Sequence, residues 1–566
     1  MPDFPIQELL PRIRDSLAHH PRLVLEAPPG AGKTTQVPLA LLDATWLQGR
    51  RIVMLEPRRV AARAAAQFMA AQLGESVGDT VGYRIRFDNQ VSARTRIEVV
   101  TEGILTRMLQ DDPELGGSGP SGVGALLFDE FHERHLSGDL GLALALDVQA
   151  SLRGDLRIAL MSATLDGERL ARWFDAPRIS SAGRSFPVEV AHFPARRDEA
   201  GTHQARRAVA HALAAHPGDV LVFLPGRREI DALQRALDPL RAGYDIDLLA
   251  LHGEFAVEQQ SRVLQPDPHG RRRVVLATNV AESSVTLPGV RVVVDSGQAR
   301  EPRYDPNSGF ARLQTVAISQ ASADQRAGRA GRVAAGWAYR LWPQSQRLEA
   351  QRRAEIAQVE LTSLALELAA WGSDALRFVD APPPGALAAA RDLLQRLGAL
   401  DAKQAITAPG RRMLALGTHP RLAALLLAST DAREQALACD LAALLEARDP
   451  LSGRPGDSLA GRWHALAAFR VGPGPADASR VALAAIDRAA TQWRRRLRVD
   501  AKPPTDVPAH LHGDMLRHAF PDRIGHQHPV DPRRYLLANG RSVRLFEDST
   551  LFGEPWIVAS ELRDAS

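Results

Sequence analysis

Residues 23–35 read LVLEAPPGAGKTT, and few local arrangements satisfy such a string. Leu23, Val24 and Leu25 have the composition of a buried strand, the Pro/Gly-rich stretch after them cannot continue it, and TTQVPLALL reads as a helix. Strand, glycine loop and helix in that order make a phosphate cradle. Gly30 and Gly32 let backbone N–H groups turn towards an anion, and the helix N-terminus adds positive potential. Lys33 would reach the outer phosphates of a nucleotide and Thr34 would ligate Mg²⁺, with Pro29, Ala31 and Thr35 completing the cradle. Ala27 stands where the strict pattern has its first glycine, and Pro38 removes a backbone donor and predicts a bent helix.

Composition sharpens the reading of Lys33. Of 70 Lys and Arg residues only Lys33, Lys403 and Lys502 are lysines. A GC-rich genome explains the arginines; a site that needs a compact ammonium rather than a planar fork explains the lysine kept at 33. With 566 residues and 45% apolar content the chain is globular and too long for one core. No apolar run nears the ~20 residues of a membrane span, and the N-terminus lacks a secretory pattern. Cys439 is the single cysteine, which excludes internal disulfides and cysteine-rich zinc sites and fits a reducing compartment. A cytoplasmic protein is expected. The net charge of +4 is too modest to argue for nucleic acid by itself.

The stretch LLFDEFHERH at 126–135 packs carboxylates and histidines behind an apolar run. A zinc helix needs histidines four apart, whereas His132 and His135 are three apart with no further Cys/His cluster. The better reading is a strand, Val123–Phe128, whose carboxyl end carries the chemistry. Asp129 would hold Mg²⁺ through water, and Glu130 would orient or deprotonate the attacking water. Further on, 219–226, 273–278 and 290–295 read as strands alternating with helices, a second parallel sheet. Near its end, Gln325-Arg-Ala-Gly-Arg329-Ala-Gly-Arg332 spaces arginines by three, on one helix face and free to enter a phosphate site. A basic face turned to RNA or solvent is the plainer alternative for that stretch alone.

In chain order these stretches are APPGAGKTT (27–35), LEPRRVAAR (55–63), TEGIL (101–105), DEFH (129–132), SAT (162–164), LVFLPG (221–226), ATNVAESSVTLPGV (277–290) and QRAGRAGR (325–332). The set resembles the DEAH/RHA branch of superfamily 2 ATP-dependent helicases, and DEFH in place of DEAH is the variant of its HrpB-type members. GYRIRF (82–87) and GRSFPVEV (183–190) are similar to the same branch. The resemblance implies two tandem RecA-like domains that close on ATP, Mg²⁺ and a single strand, with 3′-to-5′ movement. It implies that Gln325 helps place the attacking water and that Arg329 and Arg332 are fingers reaching the phosphates on closure. Ser162 and Thr164 would link hydrolysis to movement, Ser284 would sense the γ-phosphate, and His132 would bridge the domains. Arg58, Arg59, Thr101, Gly226, Arg227 and Thr278 match positions that contact the nucleic-acid backbone, so weak sequence preference is expected. It assigns nothing to His135, for which a capped or solvated histidine is the expectation.

The expected organisation is therefore 1–183 and 184–343 for the RecA-like domains, 344–410 winged-helix-like, 411–510 a ratchet-like helical bundle and 511–566 OB-like. Asp-Pro-Asn-Ser-Gly inside 299–312 predicts a β-hairpin, by resemblance the one that splits a duplex. WRRRLR (493–498) reads as a solvated helix face before it reads as an RNA contact. HrpB-type proteins continue with a further domain beyond the point matching Ser566, and the residues leave open whether this chain is short or truncated. RNA is the expected partner, DNA the alternative strand, and a nucleotide-switched RNA-binding scaffold the alternative class. No adenine-reading element is evident, which leaves ATP against other nucleotides open; the physiological RNA, protein partners and oligomeric state are equally unspecified.

Overall fold

The structure, a computed structural model, describes residues 4–85, 88–163, 167–181, 186–252, 263, 265, 267, 269–282, 287–305, 308–373, 375–452, 456–472 and 474–562. The chain divides into two compact units. The first comprises Met1–Arg303, Arg312–Gln358 and Ala375–Ala381; the second comprises Tyr304–Ala311, Val359–Asp374 and Pro382–Ser566.

The first unit holds two sheets. Strands β1 (Arg22–Glu26), β2 (Arg51–Leu55), β3 (Val81–Ile85), β4 (Asp88–Gln90), β5 (Ile97–Val100), β6 (Val123–Phe128), β7 (Arg157–Ser162) and β8 (Arg178–Ser180) form one, in the order β4-β3-β5-β2-β6-β7-β1-β8. Only β4 runs antiparallel to its neighbour. β6, VGALLF, is buried at every position, as a strand covered by helices on both faces must be. The second sheet joins β9 (Val188–His192), β10 (Asp219–Phe223), β11 (Ile246–Leu251), β12 (Arg272–Ala277), β13 (Val290–Asp295) and a later strand, Gly336–Arg340, all parallel. Its central strand shows the two-residue period directly. Val220 and Val222 enter one apolar cluster with the helices Gly201–Ala215 and Arg227–Tyr244. Leu221 and Phe223 enter another, on the opposite face, with Ala327 and Ala330. Each of these side chains is fully buried and stabilises by roughly 1.5–3 kcal/mol relative to exposure. Between them in the chain, β14 (Gln298–Asp305) and β15 (Phe310–Ala317) pair as a two-stranded ribbon, the expected hairpin. The turn residues Pro306 and Asn307 lie outside the described residues.

The second unit is helical and then β. Helices Thr362–Trp371, Pro384–Arg396 and Ala408–Leu416 come first, with a small antiparallel bridge Leu400–Ile406 between the last two. Pro420–Leu426, Ala432–Glu446, Leu459–Val471, Arg480–Leu497 and Ala509–Ala519 follow. Where an OB-like module is expected, the described residues form a four-stranded antiparallel sheet, Ile524–Gln527 pairing with both Arg534–Leu537 and Trp556–Val558. Asn539-Gly540 makes the turn that follows Arg534–Leu537, with Gly540 in the left-handed region at φ 82°.

One carboxylate ties the helical part together. Asp440 is fully buried and accepts from Arg470 Nη1 and Nη2 at 2.7 Å each, from Arg494 Nη1 at 2.8 Å and from Trp463 Nε1 at 3.2 Å. Half of the WRRRLR expectation changes with it. Trp493 and Arg494 point inward and Arg494 serves Asp440, while Arg495, Arg496 and Arg498 are exposed. The adjacent Cys439 is buried, and burial pushes its thiol up to about 12, so it packs as a small apolar group. Because Asp440→Asn leaves two buried guanidinium groups undercompensated, the variant should lose ~3–5 kcal/mol of stability. Urea denaturation monitored by circular dichroism measures that loss.

Candidate active site

Three neighbouring strands deliver the site residues to one edge. The Pro/Gly loop leaves β1, Ser162 closes β7, and DEFH follows β6, in the spatial order β6-β7-β1. Gly30 and Gly32 have φ of 85° and 93°, a conformation side chains rarely adopt. A Cβ on Gly32 would also come within 2.9 Å of Phe4 Cβ, so the N-terminal segment closes over the loop. The helix starts at Lys33, two residues of loop after Gly30.

Lys33 is 3% exposed and donates to Glu130 Oε1 at 2.8 Å, with Asp129 Oδ1 at 3.8 Å. Burial opposes its charge, yet Glu130 and Asp129 hold its pKa above the ordinary value. Thr34 Oγ1 donates to Asp129 Oδ2. Burial pushes the Asp129 carboxyl up to about 6 against the pull of Lys33. Glu130 itself sits in the left-handed region at φ 49°, and its N–H donates to Asp129 Oδ1 at 2.8 Å. Its Oε2 is buried and accepts no hydrogen bond among the described residues, lying 3.4 Å from His132 Nδ1. That leaves an acceptor oxygen next to where a phosphate on the loop would end. Phe131, by contrast, is core: it packs edge-on against Phe128 at 6.3 Å.

The second sheet reaches the same place. Arginine spacing of three does not place these residues on one α-helical face, because the helix Gln320–Ala327 gives way to a 3₁₀ turn, Gly328–Gly331. Arg326 turns into the domain. It is 1% exposed, bonded to Glu282 at 2.8 Å and Asp295 at 2.9 Å, and lies over the Phe223 ring at 4.8 Å. Arg329, also buried, donates Nε to the Glu282 carbonyl at 2.9 Å. Arg332 lies on the glycine loop: its guanidinium carbon would be 3.4 Å from a Cβ on Gly30. Burial, and for Arg329 the neighbouring Arg332, drives Arg329 well below the ordinary guanidinium range and Arg332 down to about 10. Arg332 thus brings a cation onto Gly30, beside the buried Lys33. Gln325 Nε2 is 3.4 Å from His132 Nε2, and the Ala163 N–H donates to His132 Nδ1 at 3.3 Å.

A second line of charge runs beside it. Arg58 Nη2 donates to both Glu133 oxygens at 2.8 and 2.9 Å, and Nη1 donates to the Asn279 carbonyl at 2.6 Å. His135 occupies the N-cap position of the helix Leu136–Ser151, but its half-buried ring bridges two acids instead of capping: Nε2 lies 2.8 Å from Glu133 Oε2 and Nδ1 3.4 Å from Glu355 Oε2. Of the remaining predicted positions, Arg59 opens the helix Arg59–Leu73 and is exposed. Thr101, Gly226 and Thr278 each precede a helical turn at a strand's carboxyl end. Arg227 is 61% exposed and 3.7 Å from Asp231. Ser162 is buried and its carbonyl accepts from the Ala27 N–H at 3.0 Å. Thr164 and Ser284 lie outside the described residues. Sequence reasoning missed Glu56, a fully buried acid that burial and the neighbouring Asp129, Glu130 and Glu133 hold well above its ordinary pKa. It also missed Glu282, which anchors Arg326. Among the described residues no His/Cys/Asp/Glu group has metal-cluster geometry, and no helix is long and apolar enough to cross a membrane.

Two sheets of parallel strands, with Arg332 of the second domain lying on the glycine loop of the first, define a pair of RecA-like domains. The chain belongs to the DEAH/RHA helicases, ATP-dependent enzymes. A model of the DEAD/DEAH box helicase family matches residues 6–173, and one of the helicase conserved C-terminal domain matches 204–334. The ATP-dependent RNA helicase HrpB of Escherichia coli (strain K12) is 43% identical over 572 residues, spanning 100% of this chain and 67% of that protein. The ATP-dependent RNA helicase HrpA homolog of Haemophilus influenzae is 35% identical over 444 residues, spanning 76% of this chain and 33% of that one. A crystal structure of the Escherichia coli DEAH/RHA helicase HrpB superposes with a TM-score of 0.80 at 41% identity, covering 98% of this chain and 68% of its own.

The His135 bridge makes a pH prediction. Its partners Glu133 and Glu355 outweigh its burial and raise its pKa from 6.5 to about 10. A raised pKa stabilises the fold fully below the unfolded value and loses that contribution as pH climbs through the folded one. The stability gap between wild type and His135→Ala should therefore narrow between pH 6.5 and pH 10, as read by urea denaturation across that range.

Proposed function

We propose that this chain is an RNA helicase that hydrolyses ATP to move 3′ to 5′ along a single strand and so separate duplexes. The observation that carries the proposal is Arg332 of the second sheet resting on Gly30 of the first, beside buried Lys33. A phosphate site built from both halves changes when the halves part, and hydrolysis at it changes how they are held. That HrpB and the HrpA homolog carry the name ATP-dependent RNA helicase supports RNA as the strand.

In this reading Lys33 releases Glu130 to bind the β- and γ-phosphates, and Pro29 through Thr35 supply backbone donors around them. Thr34 and Asp129 would hold Mg²⁺, which draws charge from the phosphates as the leaving group departs. Glu130 takes a proton from the attacking water, and Gln325 positions that water with His132 between them. Arg329 and Arg332 meet the charge that develops on the transferred group, a contribution worth ~10³–10⁵ in rate in comparable sites. Ser162 with Thr164, and Ser284, would report the nucleotide's state. Arg58, Arg59, Thr101, Gly226, Arg227 and Thr278 would hold the RNA backbone, so affinity should fall steeply with salt.

ATP turnover should rise with single-stranded RNA, and Lys33→Ala should reduce it at least 100-fold, with Glu130→Gln retaining nucleotide binding but not turnover. Undiminished turnover in Lys33→Ala would overturn the assignment. Matched RNA and DNA strands, and duplexes with 3′ or 5′ overhangs, test the strand and the direction; binding without strand separation would favour a nucleotide-switched scaffold.

A further inference from the structure

His135 belongs to no step above, yet it sits in the most heavily bonded part of the loop after DEFH. Glu355 Oε2 lies 3.4 Å from its Nδ1 and also accepts the Leu136 N–H at 2.8 Å. The Glu355 N–H in turn donates to the Arg134 carbonyl at 3.0 Å. Three consecutive residues, Arg134 to Leu136, are thereby fastened to one residue of the segment that follows the second sheet. On its other side His135 meets Glu133, which holds Arg58, which holds the Asn279 carbonyl.

The result is a line Asn279–Arg58–Glu133–His135–Glu355 whose middle lies in the first domain, with Asn279 in the second and Glu355 in the segment that follows it. Charges alternate along it, and His135 is the cation between two carboxylates. Glu102, half-buried, also faces it, and Arg352 lies near both Glu133 and Glu355. A neutral, short side chain at 135 would remove the group that bridges Glu133 and Glu355, and Glu133, still bonded to Arg58, would shift. Arg58 would follow, because both its terminal nitrogens are committed along this line.

We infer that His135 is a positioning residue that, with Glu355, holds Arg58 in register for the RNA backbone and couples its engagement to the DEFH loop. The inference rests on the RNA reading above. His135 has no part in the hydrolysis proposed above, so its loss should separate two quantities that a merely structural role would lower together.

The test is steady-state ATP hydrolysis by the full chain with and without a single-stranded RNA, for wild type, His135→Ala, Glu355→Gln and the double variant. Expected in each single variant is RNA-free turnover within about twofold of wild type. The RNA concentration for half-maximal stimulation should rise at least fivefold. The double variant should be no more than about twofold worse than His135→Ala, since one line is cut once. Glu355→Gln preserves shape and guards against a folding defect in His135→Ala. Unchanged half-saturation in both single variants overturns the inference, as does RNA-free turnover falling in parallel with the stimulated rate. If wild type itself is not stimulated by RNA, the RNA reading fails first and is distinguished by that control.

Discussion

The structure depends on keeping one ammonium charge buried beneath a loop of backbone donors. Lys33 in water would need nothing; at 3% exposure it needs Glu130 and Asp129. Those carboxylates, buried as they are, would be untenable without it. The mutual requirement fixes the spacing between β1 and β6 and explains why β7 must lie between them, its terminal Ser162 tied to Ala27. It also leaves the site poised. The lysine is bonded to Glu130, the residue proposed to act on water, so under that proposal a phosphate at Gly30 competes with Glu130 for Lys33.

Around that pair the protein arranges an imbalance. The first half contributes acids, Glu56, Asp129, Glu130 and Glu133; the second contributes Arg329 and Arg332. Burial and the neighbouring Asp129, Glu130 and Glu133 push the Glu56 pKa up, and burial and the neighbouring Arg332 push that of Arg329 down. Both conditions are relieved by bringing a polyanion with its counter-ion between them. Structural arginines obey a different rule: Arg326 and Arg494 are as deeply buried but are matched to Glu282, Asp295 and Asp440.

Much of this could be read from the chain. Strand β6 and the phosphate loop are written locally, in an apolar run ending at Asp129 and in Gly30-Ala-Gly-Lys33, and local chemistry settles both. The parallel sheets follow from strands alternating with helical stretches. What could not be read is long-range. Nothing near His135 announces Glu355, 220 residues on, so a bridging ion pair looked like a solvated histidine. Nothing in QRAGRAGR reveals that the helix tightens after Ala327, sending Arg326 inward and Arg332 outward. In WRRRLR the buried member was hidden because its partner, Asp440, lies on another helix.

Glu130 adopts a backbone conformation that suits glycine, at φ 49° and ψ 32°. Holding a glutamate there costs on the order of 1–2 kcal/mol. Glycine at this position would relax the turn and silence the chemistry together, so stability and turnover pull the residue in opposite directions. A lineage released from the need to hydrolyse nucleotide has a downhill path at this codon.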